Sequence, residues 1–315
     1  MSRSKGILFM RIAILGGAGA MGGIFGALLA KGGYDVTLVD VAQAAVDKIN
    51  AEGIYVELKS GVAEHVRVQA TTTPATLGSV DTVINFVKCY HTDAAIQSIL
   101  PVINDQTAVL SLQNGWGNAP RIAAIVGEGK VLAGVTYHSG TLVGPGHVKQ
   151  TGVGMTFMGE LNGVMSDRLN AIATAFQQSG IEVTASDNVL FQIWSKLALN
   201  CCTLPASALL RFYAHQMVEH DGSLNTMHEI LREVIAVANA QNIPLDFDER
   251  WEAITGLLKR AVGGKASMLQ DVENRRRTEI DVVNGAIVEA GKRLGIPTPY
   301  NQTMVWLVKA LEETF

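Results

Sequence analysis

Between Arg11 and Gly22 the chain reads Arg-Ile-Ala-Ile-Leu-Gly-Gly-Ala-Gly-Ala-Met-Gly. A short apolar run breaks into glycines and opens a segment of helical spacing, Met21 to Lys31. Few local patterns restrict a fold this strongly. Gly17, Gly19 and Gly22 stand at the G-x-G-x-x-G spacing. There the first glycine makes the tight turn out of a strand, the second lets backbone approach a pyrophosphate, and the third lets the helix pack closely on the strand. Phosphates would then lie along Gly17, Ala18, Gly19, Ala20, Met21 and Gly22, on N–H groups that a helix N-terminus leaves unpaired. The extra glycine, Gly16, allows the register to slip by one. A second strand-like run, Tyr34 to Val39, ends in Asp40. That carboxylate falls roughly 20 residues past the glycines, where an acid can bond both ribose hydroxyls. A glycine-rich turn alone does not account for this strand–helix–strand setting, so we read a dinucleotide-binding unit.

A chain of 315 residues allows one or two domains and a sizeable core. With 48% hydrophobic and 17% charged residues it reads as a globular enzyme rather than a disordered chain. The net charge of -4 offers no footprint for nucleic acid. Cys89, Cys201 and Cys202 are too few and too badly spaced for a disulfide framework or a zinc site, and the adjacent pair reads as helix filling. This usage points to a reducing cytoplasm. No run of about 18 apolar residues suggests a membrane span. The basic leader Met1 to Phe9 lacks the apolar region and cleavage site of a signal peptide, and Met10 could be the natural start.

After Asp40, residues Ala42 to Ala51 read as a helix. The alternating runs Ile54 to Glu57 and Val66 to Ala70 read as strands flanking a turn. Asp81 to Val87, Ala108 to Leu112 and Val131 to Tyr137 are continuous apolar runs of the kind buried parallel strands show. A helix, Thr92 to Leu100, lies between the first two. Tyr137 to Val143, His147 to Thr151 and Thr156 to Gly159 close the region as further strands. From Asn188 onward the pattern is helical: Val189 to Leu204, Asn225 to Asn239, Asp248 to Arg260, Met268 to Arg293 and Gln302 to Glu313. The fold class is therefore α/β, a Rossmann-type doubly wound parallel sheet followed by an all-α domain. We expect the domains to span 1–186 and 187–315, with substrate in a cleft between them. Ligands of such sheets bind at the carboxyl ends of strands, where Lys88 and Asn114 stand.

Three stretches could carry chemistry. In Trp194-Ser-Lys196-Leu-Ala-Leu-Asn200, the lysine and Asn200 share a helix face amid apolar neighbours. Such a lysine either snorkels at a rim or points into a cleft, where desolvation would make it a proton donor near neutral pH. Ser267-Met-Leu-Gln270 reads more readily as a capping box than as a substrate contact. Arg275 to Asp281 reads as a solvated, salt-bridged helix face. Within it, Glu279 recurs with Val283 and Ile287 at helical spacing. A carboxylate on an inner face needs a positive partner, and Lys196 is the candidate. The seven histidines are scattered, and His215 and His220 have no metal-binding spacing with other ligands.

Taken together, these residues resemble the ketopantoate reductase (2-dehydropantoate 2-reductase) family over essentially the whole chain. The likeness rests on the loop Gly17 to Gly22, Val87-Lys88-Cys-Tyr, Gln113-Asn114-Gly115, and Trp194-Ser-Lys196-Leu-x-x-Asn200. It continues through Ser267-Met-Leu-Gln-Asp271, Arg277-Thr-Glu279-Ile-Asp281-x-x-Asn284-Gly285 and Gly295-Ile-Pro-Thr-Pro299. The resemblance implies NADPH-dependent reduction of a 2-oxo acid, 2-dehydropantoate to pantoate. It implies Lys196 as proton donor to the carbonyl oxygen, with Glu279 positioning it and bonding the cofactor's ribose region. It further implies Asn114 against nicotinamide ribose and substrate, and Lys88 and Gly140 along the cofactor. Asn200 and Ser267 would hold the substrate.

Three departures accompany the likeness. Leu204 stands where the family usually has a second asparagine after the lysine, and Ala214 and His215 match no further substrate-binding asparagine. Both changes favour a less polar 2-oxo acid. Where the family often carries an arginine for the 2′-phosphate of NADP, this chain has Asp40-Val41, which leans to NAD. A sister enzyme acting on another 2-oxo acid is the main alternative. A dinucleotide sensor without catalysis is a third reading, with no use for Lys196 or Glu279. The oligomeric state is not encoded in these patterns, and a homodimer is compatible with them.

Overall fold

Strand β1 (Arg11–Leu15) runs into the glycine loop and then α1 (Ala20–Lys31), and the first unit is built around that pair. The computed structural model describes residues 10–315, so the leader Met1–Phe9 and its reading as a dispensable tail lie outside the described residues. The chain continues through β2 (Asp35–Val39), α2 (Gln43–Glu52), β3 (Ile54–Glu57), β4 (Ala63–Val66) and β5 (Gln69–Thr71). Next come β6 (Thr82–Asn85), α3 (Thr92–Ile99), β7 (Ala108–Ser111), α4 (Asn118–Val126) and β8 (Val131–Thr136). β9 (Ser139–Gly144), β10 (His147–Gly152), β11 (Thr156–Glu160), α5 (Asp167–Gln178) and β12 (Val183–Ala185) complete the unit.

Among the described residues, eight strands form one sheet in the order β12-β11-β8-β7-β6-β1-β2-β5. Its central part is parallel, with the strand order reversing beside β1, the arrangement that leaves a ligand site at the carboxyl ends. The sheet is not wholly parallel, because β11 runs antiparallel to β8. The apolar runs explain the central strands: β6, β7 and β8 are buried at every position. Ile14, Phe25, Leu38, Ile84, Leu110 and Phe176 share one core. Each such side chain contributes about 1.5–3 kcal/mol by leaving water.

A second sheet, ordered β4-β3-β10-β9, lies outside the single-sheet expectation. Helix α1 packs against its strands β3, β9 and β10 as well as against β2. The run Val66 to Ala70 is accordingly not one strand. Val66 ends β4 opposite Ile54 in the small sheet, and Gln69 begins β5 against Thr37 in the large one. Alternation marks half-buried strand but cannot say where the chain changes sheets.

The second unit comprises Asn114–Gly117 and Leu190–Phe315, while the first runs through Gln113 and resumes over Asn118–Val189. Its helices are α6 (Val189–Leu210), α7 (Asp221–Asn239), α8 (Phe247–Arg260), α9 (Ser267–Glu273), α10 (Asn284–Leu294) and α11 (Pro299–Glu312). α6 is long and apolar enough to cross a membrane by length and composition alone, but it is mostly buried in protein, and Cys201 and Cys202 fill its inner face. The helix expected over Met268 to Arg293 is broken. α9 stops at Glu273, Arg275 takes φ 52°, and only a 3-10 turn, Ile280–Val282, precedes α10. The link is held by tertiary bonds instead: the Thr278 N–H and hydroxyl both donate to Glu312 Oε1, at 2.7 and 2.6 Å.

Candidate active site

In the first unit the glycine loop has the shape a pyrophosphate needs. The left-handed turn falls on Gly16, with φ 74°, one residue earlier than the motif spacing suggests. Gly17 is needed for packing: a Cβ there would stand 2.6 Å from Leu38 Cβ. A Cβ on Gly22 would stand 2.2 Å from the Gly16 carbonyl oxygen. Gly19 is the N-cap of α1 with no side-chain cap, and no acidic residue occupies the first turn. The N–H groups of Ala20, Met21 and Gly22 therefore have no intrahelical acceptor and form the positive end of the helix dipole. The cradle fits a dinucleotide's phosphates.

Around that loop stand the other residues of the sheet unit. Asp40 follows β2; its Oδ2 accepts the Ala18 N–H at 3.0 Å and its Oδ1 the Ala42 N–H at 3.1 Å. One carboxylate thus braces the glycine loop and carries a negative charge beside it. Gly140, in β9, lies so close to α1 that a Cβ would meet Ile24 Cδ1 at 2.4 Å and Ala20 Cβ at 3.7 Å. Lys88 is half-buried just past β6, next to Val87, whose backbone nitrogen would stand 3.0 Å from a Cβ on Gly16. Gln113 ties the carboxyl ends of β6 and β7 together. Its Oε1 accepts from Asn85 Nδ2 at 2.8 Å, and its Nε2 donates to the Val87 carbonyl and Thr92 hydroxyl, both at 2.8 Å.

In the second unit, Lys196 sits on α6 and its Nζ donates to Asn114 Oδ1 at 3.0 Å. Desolvation lowers the lysine pKa from 10.5 to about 8, and the nearby Glu279 charge offsets part of that fall. Asn200, one turn further along α6, is buried, as is Glu279. Asn114 is brought here by its neighbours. Gly115 adopts φ 81° and approaches the 3-10 turn so closely that a Cβ would stand 2.2 Å from the Val282 carbonyl oxygen. The Trp116 N–H donates to that same oxygen at 2.8 Å. Trp116 also lies 6.4 Å, ring to ring, from the fully buried Trp194. The arrangement presents an ammonium whose pKa is lowered to about 8, hydrogen-bonded to a carboxamide and under the electrostatic influence of a carboxylate.

Ser267 opens α9 as its first residue, exposed. Ala266 is the N-cap, without a side-chain bond, so the capping box does not form. Gln270 Nε2 instead donates to the Lys265 carbonyl at 3.2 Å. The run from Arg275 is a link rather than a helix face, although its expected pairing exists in Arg277 to Asp281 at 3.3 Å. Among the described residues no group of three His, Cys, Asp or Glu side chains is placed to hold a metal.

Comparison with known proteins matches residues 12–163 to the model of ketopantoate reductase PanE/ApbA and residues 188–312 to that of its C-terminal region. The chain belongs to the ketopantoate reductase family. It is 32% identical over 304 residues to the 2-dehydropantoate 2-reductase of Pyrococcus horikoshii, covering 96% of this chain and 98% of that one. A crystal structure of a PanE/ApbA family ketopantoate reductase from Ralstonia eutropha JMP134 is similar with a TM-score of 0.88 and 33% identity, over 97% of this chain and 99% of that one. The structure of D-mandelate dehydrogenase with NADH and anilino(oxo)acetate gives a TM-score of 0.90 at 28% identity, over 96% of this chain and 98% of that one. The chain is thus an oxidoreductase of this family.

In this ketopantoate reductase family member the Leu204 side chain packs on an apolar cluster of Ala208, Met268, Val272, Ile280 and Val308. Met268 adjoins Ser267, and Ile280 adjoins Glu279. Ala214 donates its N–H to the Gly264 carbonyl at 2.8 Å, on the loop that leads into α9. Sequence reasoning missed the parts played by Gly115 and Val282. The signal was a glycine directly after the asparagine that ends a buried strand.

Proposed function

We propose that this chain reduces the ketone of a 2-oxo acid to the 2-hydroxy acid with NADH, and that 2-dehydropantoate, giving pantoate, is its substrate. The observation that carries this reading is the Lys196 ammonium, with a pKa near 8, fixed at 3.0 Å by Asn114 and faced by Glu279. A nicotinamide dinucleotide, when bound, supplies the hydride. Lys196 gives its proton to the carbonyl oxygen as the C–H bond forms, leaving a neutral amine and an alcohol. Before transfer, its charge stabilises the growing alkoxide. Asn114 and Glu279 hold the donor in place, and Asn200 and Ser267 bond the substrate's polar groups. Gly17 to Gly22 would take the pyrophosphate, with Lys88 and Gly140 alongside. Asp40 would bond a free ribose 2′-hydroxyl and repel a 2′-phosphate, which favours NAD over the NADP expected from the family. A buried, reduced cysteine set suits a cytoplasmic location.

Steady-state oxidation of NADH and NADPH against 2-dehydropantoate and a panel of 2-oxo acids tests the proposal. Absence of turnover on every acid would remove it. One observation favours a second reading. Leu204 and its apolar neighbours offer no hydrogen bond where the family places an asparagine. A site built that way selects a less polar side chain, such as a branched or aromatic one. Higher kcat/KM for such acids than for 2-dehydropantoate would favour this reading.

A further inference from the structure

Helix α6 carries a proline in its interior, Pro205. Proline has no N–H, so the carbonyl four residues earlier, that of Cys201, loses its intrahelical donor. A buried carbonyl left so would cost about 1–3 kcal/mol. Asn284 fills the gap from another element: its Nδ2 donates to the Cys201 oxygen at 3.1 Å. The same Nδ2 donates to Asn301 Oδ1 at 3.0 Å. Asn301 Nδ2 in turn donates to Glu233 Oε2 at 2.7 Å. The Glu233 carboxylate also accepts the Tyr300 and Asn301 N–H groups, at 2.8 and 2.9 Å, in the first turn of α11. Asn284 and Asn301 have no exposed surface. One buried chain of hydrogen bonds therefore joins α6, α7, α10 and α11, anchored on a carboxylate at a helix N-terminus, where charge-assisted bonds are strongest.

The two ends of the Asn284 bond are close in sequence to the two charged groups of the site. Cys201 lies five residues after Lys196 on α6, and Asn284 lies five residues after Glu279, past the 3-10 turn that holds Gly115 and Trp116. We propose that Asn284 is a positioning residue for proton transfer: by bonding the carbonyl that Pro205 leaves free, it ties the helix bearing Lys196 to the segment bearing Glu279. The proline creates the acceptor and the asparagine uses it as a crosslink. An ordinary helical bond at that point would satisfy the carbonyl without connecting the two segments. A misplacement of about 1 Å at a reacting group costs on the order of a hundredfold in rate, which is the scale such a tie can control. The proposal rests on Lys196 as the proton donor, a reading that Lys196→Ala tests separately.

The test compares Asn284→Ala, Pro205→Ala and the double variant, each assayed well below its own unfolding midpoint with the 2-oxo acid the wild type turns over best. Pro205→Ala returns an N–H to the Cys201 carbonyl and should keep near wild-type turnover. Asn284→Ala should lose stability and about thirtyfold in kcat, with KM for the dinucleotide unchanged. In the double variant the carbonyl is satisfied but the tie is absent. Its thermal midpoint should recover part of the Asn284→Ala loss, Asn301 Oδ1 still lacking its donor, while kcat stays at least about tenfold below that of Pro205→Ala and the midpoint of its pH profile moves. A double variant within tenfold of Pro205→Ala, or one with a lowered kcat and an unmoved pH profile, overturns the proposal. A wild type with no turnover, or Lys196→Ala with full turnover, sinks the underlying reading instead.

Discussion

Lys196 Nζ donates to Asn114 Oδ1 at 3.0 Å, although the two residues are 82 positions apart in the chain. The bond runs from a charged donor to a carboxamide oxygen, so it fixes the direction in which the ammonium points. Lys196→Ala should therefore lower kcat by about 10²–10⁴, the usual weight of a positioned general acid. Asn114→Ala should lower it less, by roughly tenfold to a hundredfold, because the donor remains but is no longer aimed. Single-turnover rates with saturating NADH check both, and a Lys196→Ala enzyme at wild-type speed would exclude lysine as the acid.

A pKa near 8 sets the pH dependence. Reduction consumes the protonated lysine, so kcat should hold steady below about pH 8 and fall tenfold per unit above it. Oxidation of the 2-hydroxy acid needs the neutral amine, so its rate should rise up to about pH 8 and then level off. Removing the Glu279 charge with Glu279→Gln takes away the influence that raises this pKa, moving both midpoints to lower pH. Profiles of kcat in both directions check the sign.

The glycine loop was legible because its cues are contiguous: strand, glycines, helix, strand and terminal acid occupy residues 11–40. Spacing alone did not reveal that the positive φ belongs to Gly16, since Gly17 is demanded by Leu38 from another strand. Lys196 and Asn200 share a helix face by a separation of four, and their apolar neighbours mark the helix as inner. Glu279 announced itself as a carboxylate needing a positive partner, and the fold supplies the lysine. The break after Glu273 was hidden, because an arginine-rich run has good helix propensity and the bonds from Thr278 to Glu312 span 34 residues. The meeting of Asn114 with Lys196 was equally hidden, because it depends on a backbone contact between Gly115 and Val282.

Asp40 should decide between the cofactors. Asp40→Arg should raise kcat/KM for NADPH relative to NADH by at least about tenfold, a cation replacing the anion that meets the 2′-phosphate. It should also destabilise the loop, since the Ala18 and Ala42 N–H groups lose their acceptors. Asp40→Asn removes the repulsion while keeping one acceptor oxygen, so one of the two N–H bonds survives and the loss of stability should be smaller. Dissociation constants for both dinucleotides, measured by fluorescence, provide the check. Asp40→Arg with no gain for NADPH would remove the electrostatic argument.

Leu204 should decide between the substrates. Leu204→Asn introduces a hydrogen-bonding group on α6, one turn after Asn200. The preference should swing toward 2-dehydropantoate over branched or aromatic 2-oxo acids by about tenfold or more. The carboxamide would also enter an apolar cluster with Met268 and Ile280, costing about 1–3 kcal/mol of stability. Ratios of kcat/KM across the acid panel, alongside thermal midpoints, distinguish a changed preference from a general loss.

Gly115 links backbone strain to the site. An alanine there faces two separate penalties: a φ of 81° that L-residues rarely adopt, and a Cβ 2.2 Å from the Val282 oxygen. The loop can relieve both only by lifting off the 3-10 turn, which breaks the bond from the Trp116 N–H to that oxygen and carries Asn114 away from Lys196. Gly115→Ala should therefore reproduce the kcat loss of Asn114→Ala. Combining the two should add little, because residues acting through one contact are not additive. If the double variant instead shows the product of the two losses, Gly115 and Asn114 act independently and the clamp has no part in holding the lysine.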